Sequence, residues 1–492
     1  MKIDVIRKLP EHMDTVIILH KPGADLEQVE YLPEPLAKTA LGFIEAESYD
    51  FAFGEIKTFH HLCSKHSSKV ILLGTGDPDK LTASKMRTIL ANVIRTAQKM
   101  KSKNIYLFVG YEIPVNDTIF GHILSEAALL SSYKFDKYLS DAKAFTVESI
   151  HVVMNTKNTR HINRGILEGK IFAESTILAR DLVNEPANVL TPEALAEAAK
   201  KAALQYGFSI EVISLDKLKR IKMDAFLAVA RGSKHEPKLI IMRYLGAPEN
   251  KHDITGLVGK GLTYDSGGYC IKTPQGMVNM KNDMGGSAAV IGAMSAIATL
   301  KLKINVIGIV AACENMISGD AYRTGDIIRS MSGKTIEVIN TDAEGRLTLA
   351  DAIHYALERE KVERVIDIAT LTGAAVGALG NQISAVLTND QAWLDRLQQA
   401  SDFSGELIWQ MPAHDEYKEM IKSEIADLKN VGGPMAGCIT AGLFLREFVM
   451  DKPWIHIDIA GTALREKEGG VNAYGATGVG VRLLTSLLRG ME

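Results

Sequence analysis

From Val258 to Asp283 the chain reads VGKGLTYDSGGYCIKTPQGMVNMKND: three lysines, two aspartates and five glycines directly after a strand-like beginning. Glycine-rich segments at strand ends let a backbone approach a ligand closely, although taken alone the stretch also reads as a solvated loop. A second segment, Asn340-Thr341-Asp342-Ala343-Glu344-Gly345-Arg346, places two carboxylates at i and i+2 ahead of a helix expected from about Leu347. In an extended chain these two side chains project to one side and repel unless cations lie between them. Asp265, Asp283, Asp342 and Glu344 carry four negative charges, which two divalent cations would neutralise. Two metals ~3.5 to 4 Å apart can share one water and lower its pKa toward neutrality, giving a hydroxide nucleophile without a protein base. Carboxylates favour harder ions such as Mn²⁺ or Mg²⁺, but Zn²⁺ accepts them too, and a neutral Lys260 amine would tilt the set toward Zn²⁺, Co²⁺ or Mn²⁺.

Competing signatures fail on spacing. Ser332-Gly333-Lys334-Thr335 resembles the end of a phosphate-binding loop, but the glycine needed five positions before Gly333 is Ile328, so a turn is expected there. Gly259 and Gly261 begin a dinucleotide fingerprint whose third glycine position holds Tyr264, and no GxSxG elbow or HExxH helix occurs. Of the thirteen histidines only His60 and His61 adjoin, so a histidine-built zinc site would need distant positions.

The elements that must position these residues alternate between strand and helix. Val16 to Leu19, Val70 to Leu73, Asn104 to Val109 and Ser149 to Met154 read as buried strands, and Leu81 to Met100 as a helix with apolar residues at helical spacing. The polar stretch 155–163 suggests a domain boundary, and Gly165 to Val183 a long helix ending before Pro186. Beyond Pro192 the alternation resumes: a helix to about Tyr206, strands near Ile210, Phe226 and Leu239, then Ile304 to Cys313, Val365 to Ala369 and Ile455 to Ile459. The expected fold is α/β in two domains: a smaller N-terminal α/β domain over 1–158, a linking helix over 159–185, and a larger catalytic domain over 186–492 with a mixed central sheet flanked by helices.

A chain of 492 residues has ample material for such cores. Lysine plus arginine number 56 and aspartate plus glutamate 59, a net charge of −3 that gives no basic field for nucleic acid. Cys63, Cys270, Cys313 and Cys438 lie far apart, as free thiols in a reducing compartment do. The charged N-terminus lacks a signal-like apolar run, and runs such as Ile304 to Cys313 fall short of the ~20 residues that span a bilayer, so a cytoplasmic protein without a membrane partner is expected.

VGKGLTYDSGG at 258–268, Lys272, MKND at 280–283, CENM at 313–316, NTDAEGRL at 340–347 and ATLTGA at 369–374 together resemble the leucyl aminopeptidase (cytosol aminopeptidase) family of metallopeptidases. The likeness runs from Asn184-Glu185-Pro186-Ala187-Asn188 to the end, and the first domain matches in its α/β character. The resemblance implies a dinuclear enzyme that releases N-terminal, preferably leucine-like, residues from peptides by metal-hydroxide attack. It implies a tight metal site of Lys260, Asp265, Asp283 and Glu344 and an exchangeable one of Asp265, Asp342 and Glu344, holding Mn²⁺ or Zn²⁺. By the same resemblance Lys272 and Arg346 are catalytic, with Lys272 polarising the scissile carbonyl and Arg346 holding a bicarbonate that acts as general base. Met280, Thr370, Leu371 and Gly373 match substrate-pocket positions, and a homo-hexamer of two stacked trimers is implied. From the residues alone, Arg346 reads instead as an ion-pair partner of Glu344. A two-metal phosphoesterase and a non-catalytic binding protein on the same fold are the alternatives.

Overall fold

The computed structural model describes residues 1–23, 25, 26, 29, 31–63, 66–142, 147–154 and 159–492, the side chain of Cys63 excepted. The chain divides into two compact units, Met1–Glu174 with Lys467–Tyr474, and Ser175–Glu466 with Gly475–Glu492. The first four residues of the polar stretch expected as a boundary, 155–158, lie outside the described residues.

In the first unit, strands β1 (Lys2–Ile6), β2 (Thr15–His20), β3 (Ile56–Cys63), β4 (His66–Gly74), β5 (Asn104–Val109) and β6 (Ser149–Val153) form one sheet in the order β1-β6-β5-β2-β4-β3. Only β3 runs antiparallel to its neighbour. Helices α1 (Glu34–Glu47), α2 (Ala83–Lys99) and α3 (Asp117–Ser131) supply apolar cover. Ile17, Leu19, Ile71 and Leu73 sit in one core cluster, while Val16, Ile18, Val70 and Leu72 sit in another. Alternate residues of one strand thus bury on both faces, which is why these strands read as unbroken β-branched runs. The segment 467–474 is tied to α2, where Arg95 Nη2 donates to Asn472 O at 2.6 Å and Gly470 N to Asn92 Oδ1 at 3.1 Å.

Helix α4 (Thr159–Asn184) passes through the division. The second unit continues with α5 (Pro192–Tyr206), β7 (Ser209–Ile213), α6 (Leu215–Arg220), α7 (Asp224–Ala230), β8 (Lys238–Leu245), β9 (Ile254–Asp265), α8 (Pro274–Met277), α9 (Gly285–Leu300) and β10 (Asn305–Asn315). There follow β11 (Ile327–Arg329), β12 (Thr335–Glu337), α10 (Gly345–Glu358), β13 (Arg364–Ala369), α11 (Gly373–Leu379), β14 (Ser384–Thr388), α12 (Gln391–Ser404) and β15 (Ile408–Gln410). The chain ends with β16 (Leu428–Lys429), α13 (Gly437–Arg446), β17 (Trp454–Asp458), β18 (Leu464–Arg465), β19 (Gly475–Ala476) and α14 (Val481–Arg489). Its main sheet has the order β15-β14-β17-β13-β9-β10-β8-β7, with β17, β13, β9 and β10 mutually parallel and antiparallel pairs flanking them. This is the mixed, helix-flanked sheet expected of the larger domain. Ser332 and Gly333 lie in the turn between β11 and β12, as the failed phosphate-loop spacing implies.

One expected strand is a helix. The run near Phe226 forms α7 because a short apolar segment carries no period of its own, its alanines and leucine favour helix, and Phe226 N, an orphan donor of the first turn, finds Asp351 Oδ2 at 3.0 Å. The run Pro274–Leu300 is long and apolar enough to cross a bilayer, yet 89% of its apolar window is buried inside the protein, so it is a core element. Cys270, Cys313 and Cys438 are free thiols, as expected.

Candidate metal centre

Ligands of open α/β sheets gather beyond the carboxyl ends of the parallel strands, and the singled-out residues gather there. Lys260 and Asp265 lie on β9, Asp283 precedes α9, Glu344 caps α10, and Thr370 follows β13. Two glycines permit this crowding. A Cβ on Gly286 would fall 2.0 Å from Ile368 O and 2.9 Å from Lys260 N, so the start of α9 rests directly on β9 and β13. A Cβ on Gly345 would fall 2.4 Å from Lys260 Cε, so the start of α10 closes over the lysine stem.

Oxygens of Asp265, Asp342 and Glu344 lie within 4.8 Å of one another. Asp265 Oδ1 accepts from Gly267 N at 2.9 Å and Asn315 Nδ2 at 2.8 Å, and its Oδ2 faces Lys272 Nζ at 2.7 Å. Lys272 also contacts Asp342. Lys260 Nζ sits 2.8 Å from Asp283 Oδ1, 2.9 Å from Glu344 Oε1 and 2.9 Å from the Thr370 carbonyl, while Thr370 Oγ1 donates to Asp283 Oδ1 at 2.8 Å. Asp342 and Glu344 do not converge through extended chain as expected: Ala343 N bonds Asn340 O at 3.2 Å in a turn, and the helix begins at Gly345 rather than Leu347.

The electrostatics are those of crowded buried acids. Burial, reinforced by the Asp265 charge and opposed by Lys260, pushes Glu344 up to about 8. Burial lifts Asp283 to about 6 against the pull of Lys260, and burial with Asp265 raises Asp342. Burial works against the Lys260 charge, but Asp283, Glu344 and Asp265 outweigh it and hold the amine well above its usual value. Surrounded only by protein groups Lys260 is therefore an ammonium, and serving as a nitrogen ligand requires it to give up that proton to a stronger cation. The donor set fits divalent metal: the oxygens are hard, and the buried Asp283 Oδ2 and Glu344 Oε2 lack hydrogen-bond partners among the described residues.

Arg346 is not paired with Glu344. Its Nη1 donates to Asn430 O at 2.7 Å, its buried Nε has no partner among the described residues, and burial lowers it to about 10 despite the charges of Glu344 and Asp458. A buried guanidinium with an unused donor has the chemistry to receive a planar anion. The residues expected at the substrate pocket occupy neighbouring places in sequence and fold: Met280 is half-buried in the short turn before Asp283, Leu371 is half-buried, Thr370 buried, and Gly373 exposed at the start of α11.

Sequence reasoning gave no role to Asn315, Asn430 and Asp458. Asp458 Oδ1 accepts from Leu371 N at 3.1 Å and its Oδ2 from Thr372 Oγ1 at 2.6 Å, pinning the segment after β13. Asn430 Oδ1 accepts from Ile339 N at 2.8 Å and its Nδ2 donates to Asn340 O at 2.6 Å, pinning the segment before Asp342. Asn315 stands within the CENM motif, which was the available signal; the other two are lone polar residues brought in by topology.

Known proteins give the same picture over the whole chain. Residues 177–485 match the model of the cytosol aminopeptidase family's catalytic domain, and residues 21–142 that of its N-terminal domain. A probable cytosol aminopeptidase of Clostridium perfringens is 49% identical over 90% of this chain and 90% of its own length. Another, from Clostridium tetani, is 44% identical over 97% of each chain. Among solved structures, the bottromycin maturation enzyme BotP in complex with Mn is similar with a TM-score of 0.86 and 32% identity, covering 97% of this chain and 99% of that one. A cluster of hard oxygen ligands on this two-domain framework, matched from end to end at such identity, leaves no room for the phosphoesterase or scaffold alternatives: the chain belongs to the cytosol aminopeptidase family and is a metal-dependent hydrolase of the leucyl aminopeptidase type.

Proposed function

We propose that the chain is a dinuclear aminopeptidase of the cytoplasm that removes leucine-like N-terminal residues from peptides, working as a homo-hexamer. The observation that carries the reading is the convergence of the Asp265, Asp342 and Glu344 oxygens within 4.8 Å, with Lys260 and Asp283 adjoining. Lys260, Asp265, Asp283 and Glu344 would hold one ion, and Asp265, Asp342 and Glu344 the other, each Mn²⁺ or Zn²⁺; the BotP structure was determined with Mn. When bound, such a pair of ions acidifies water and polarises a carbonyl.

The chain's own groups do the rest. Asn315 and the Gly267 amide hold Asp265 Oδ1, which fixes the carboxylate with its Oδ2 beside Lys272. Lys272, 17% exposed on its side chain, is a cation at the mouth of the cluster, since Asp265 and Glu344 outweigh the burial that opposes its charge. It donates to the substrate carbonyl oxygen as negative charge develops there. Arg346 would hold bicarbonate through its Nε edge, which has no partner among the described residues, and the anion would supply a general base there. Asp458, by fixing Leu371 and Thr372, holds the substrate-facing segment Thr370 to Gly373 together with Met280 as the pocket for the N-terminal side chain.

Product analysis tests the reading. The metal-loaded protein should release free leucine from Leu-Gly-Gly and nothing from its N-acetylated form, because the acetyl group removes the free amine; equal cleavage of both peptides would refute an aminopeptidase.

A further inference from the structure

A second cavity, of about 410 Å³, lies in the larger unit against Ser233, Lys234, His235, Tyr264, Glu314 and Met316. Strands β9 and β10 pair with Tyr264 beside Glu314 and Asp265 beside Asn315. Successive strand residues point to opposite faces, and the Asn315–Asp265 hydrogen bond of 2.8 Å fixes the metal-centre face. Tyr264 and Glu314 therefore look to the other side of the sheet, so this cavity is separate from the metal centre.

Glu314 is 7% exposed, yet no lysine, arginine or histidine nitrogen among the described residues lies within 4.0 Å of its carboxylate. Its Oε2 accepts from Ser233 Oγ at 2.6 Å, while its Oε1 receives no donor from the described residues and is not sealed in the interior, so it opens to the cavity. A carboxylate so desolvated is ordinarily matched by a cation. The wall around it is firmly placed: His235 N donates to Ser233 Oγ at 2.9 Å, and Gly232 packs so closely that a Cβ there would fall 2.2 Å from Met316 O. The same cavity is lined by the exposed Lys234, an ammonium donor, and the half-buried His235, a ring with hydrogen-bonding nitrogens, while Met316 and Ile317 supply apolar surface.

We propose that this cavity binds a free α-amino acid as its zwitterion, the ammonium on Glu314, the carboxylate toward Lys234 and His235, and the side chain against Tyr264 and Met316. Amino acids are the product class of the proposed reaction, but the site stands on Glu314 and its cavity independently of that reading.

Equilibrium dialysis of labelled L-leucine against the metal-loaded full chain tests it. The expected result is an equivalent of leucine per chain that survives metal removal and is lost in Glu314→Gln, a variant that still accepts from Ser233 and hydrolyses leucine anilide normally. Lys234→Ala, a change at an exposed side chain, should weaken that equivalent about tenfold or more while leaving binding of 3-methylbutylamine, which has no carboxylate, unchanged. An equivalent lost on metal removal belongs to the metal centre, and its absence would count against the aminopeptidase reading alone. The proposal is overturned if no leucine remains bound after metal removal, or if what remains is indifferent to Glu314→Gln.

Discussion

Two lysines only twelve positions apart receive opposite assignments, and their surroundings explain why. Lys260 is sealed between Asp283, Glu344 and the Thr370 carbonyl beneath the glycine at 345, where nothing as large as a substrate reaches it. Lys272 stands at the partly open edge beside Asp265 and Asp342. Lys272→Ala should therefore lower kcat by about 10² to 10³ with both metals retained, the scale of losing an oxyanion donor. Lys260→Ala should lose the tighter metal, and kcat with it. Metal content by mass spectrometry beside steady-state kinetics separates the two, and equal metal loss in both variants would undo the division of roles. At this scale the acids and lysines were legible in the sequence because they sit in tight motifs. Asp458 and Asn430 were not, because a lone aspartate or asparagine acquires meaning only when a loop segment 87 or 90 residues away in the chain is laid beside it.

Among the elements, α10 joins the site to the core behind it. Its first turn carries Glu344 and Arg346, and one turn further Asp351, fully buried, accepts from Met331 N at 2.7 Å and Phe226 N at 3.0 Å. Burial pushes Asp351 up to about 7 although those amides pull it down. Because its folded value lies above that of the unfolded chain, the stabilising contribution is complete below about pH 4 and is lost as pH rises through 7. With metal kept saturating, unfolding free energy of the native protein should carry a downward slope between pH 4 and 7 that Asp351→Asn lacks; urea unfolding at pH 5 and pH 8 measures it, and parallel behaviour of the two proteins would contradict the assignment. Strand positions such as 16–19, 70–73 and 104–109 were legible because burial on both faces leaves continuous β-branched runs. The segment around Phe226 was not, since its helix depends on Asp351, 125 residues away, to receive an amide of its first turn.

Over the whole molecule, the first unit is completed by a short segment from far along the chain, 467–474. Arg95, 7% exposed, is the fastening: its guanidinium donates to the carbonyls of Gly470 and Asn472 and lies 3.8 Å from Glu468. Arg95→Ala should destabilise that unit by about 1 to 3 kcal/mol, leaving two partly buried carbonyls without that donor, while the leucine anilide kcat of the folded protein stays unchanged. A lowered thermal midpoint with normal turnover is the expected pattern, and an unaltered midpoint would show that the segment is held otherwise. No sequence pattern announces this fastening, because the polar segment 467–474 has neither apolar rhythm nor motif and gains its place from two carbonyls. The two-domain α/β plan, by contrast, was legible from alternation alone. The measurement that bears most directly on the central claim, a catalytic centre built from paired metals on Asp265, Asp342 and Glu344, is hydrolysis of leucine anilide by stripped protein as Mn²⁺ or Zn²⁺ is returned in counted equivalents. The account predicts no turnover without metal, full turnover only as the second equivalent per chain is bound, and no rescue of Asp265→Asn at stoichiometric metal; activity that survived stripping, or that was complete at one equivalent, would contradict it.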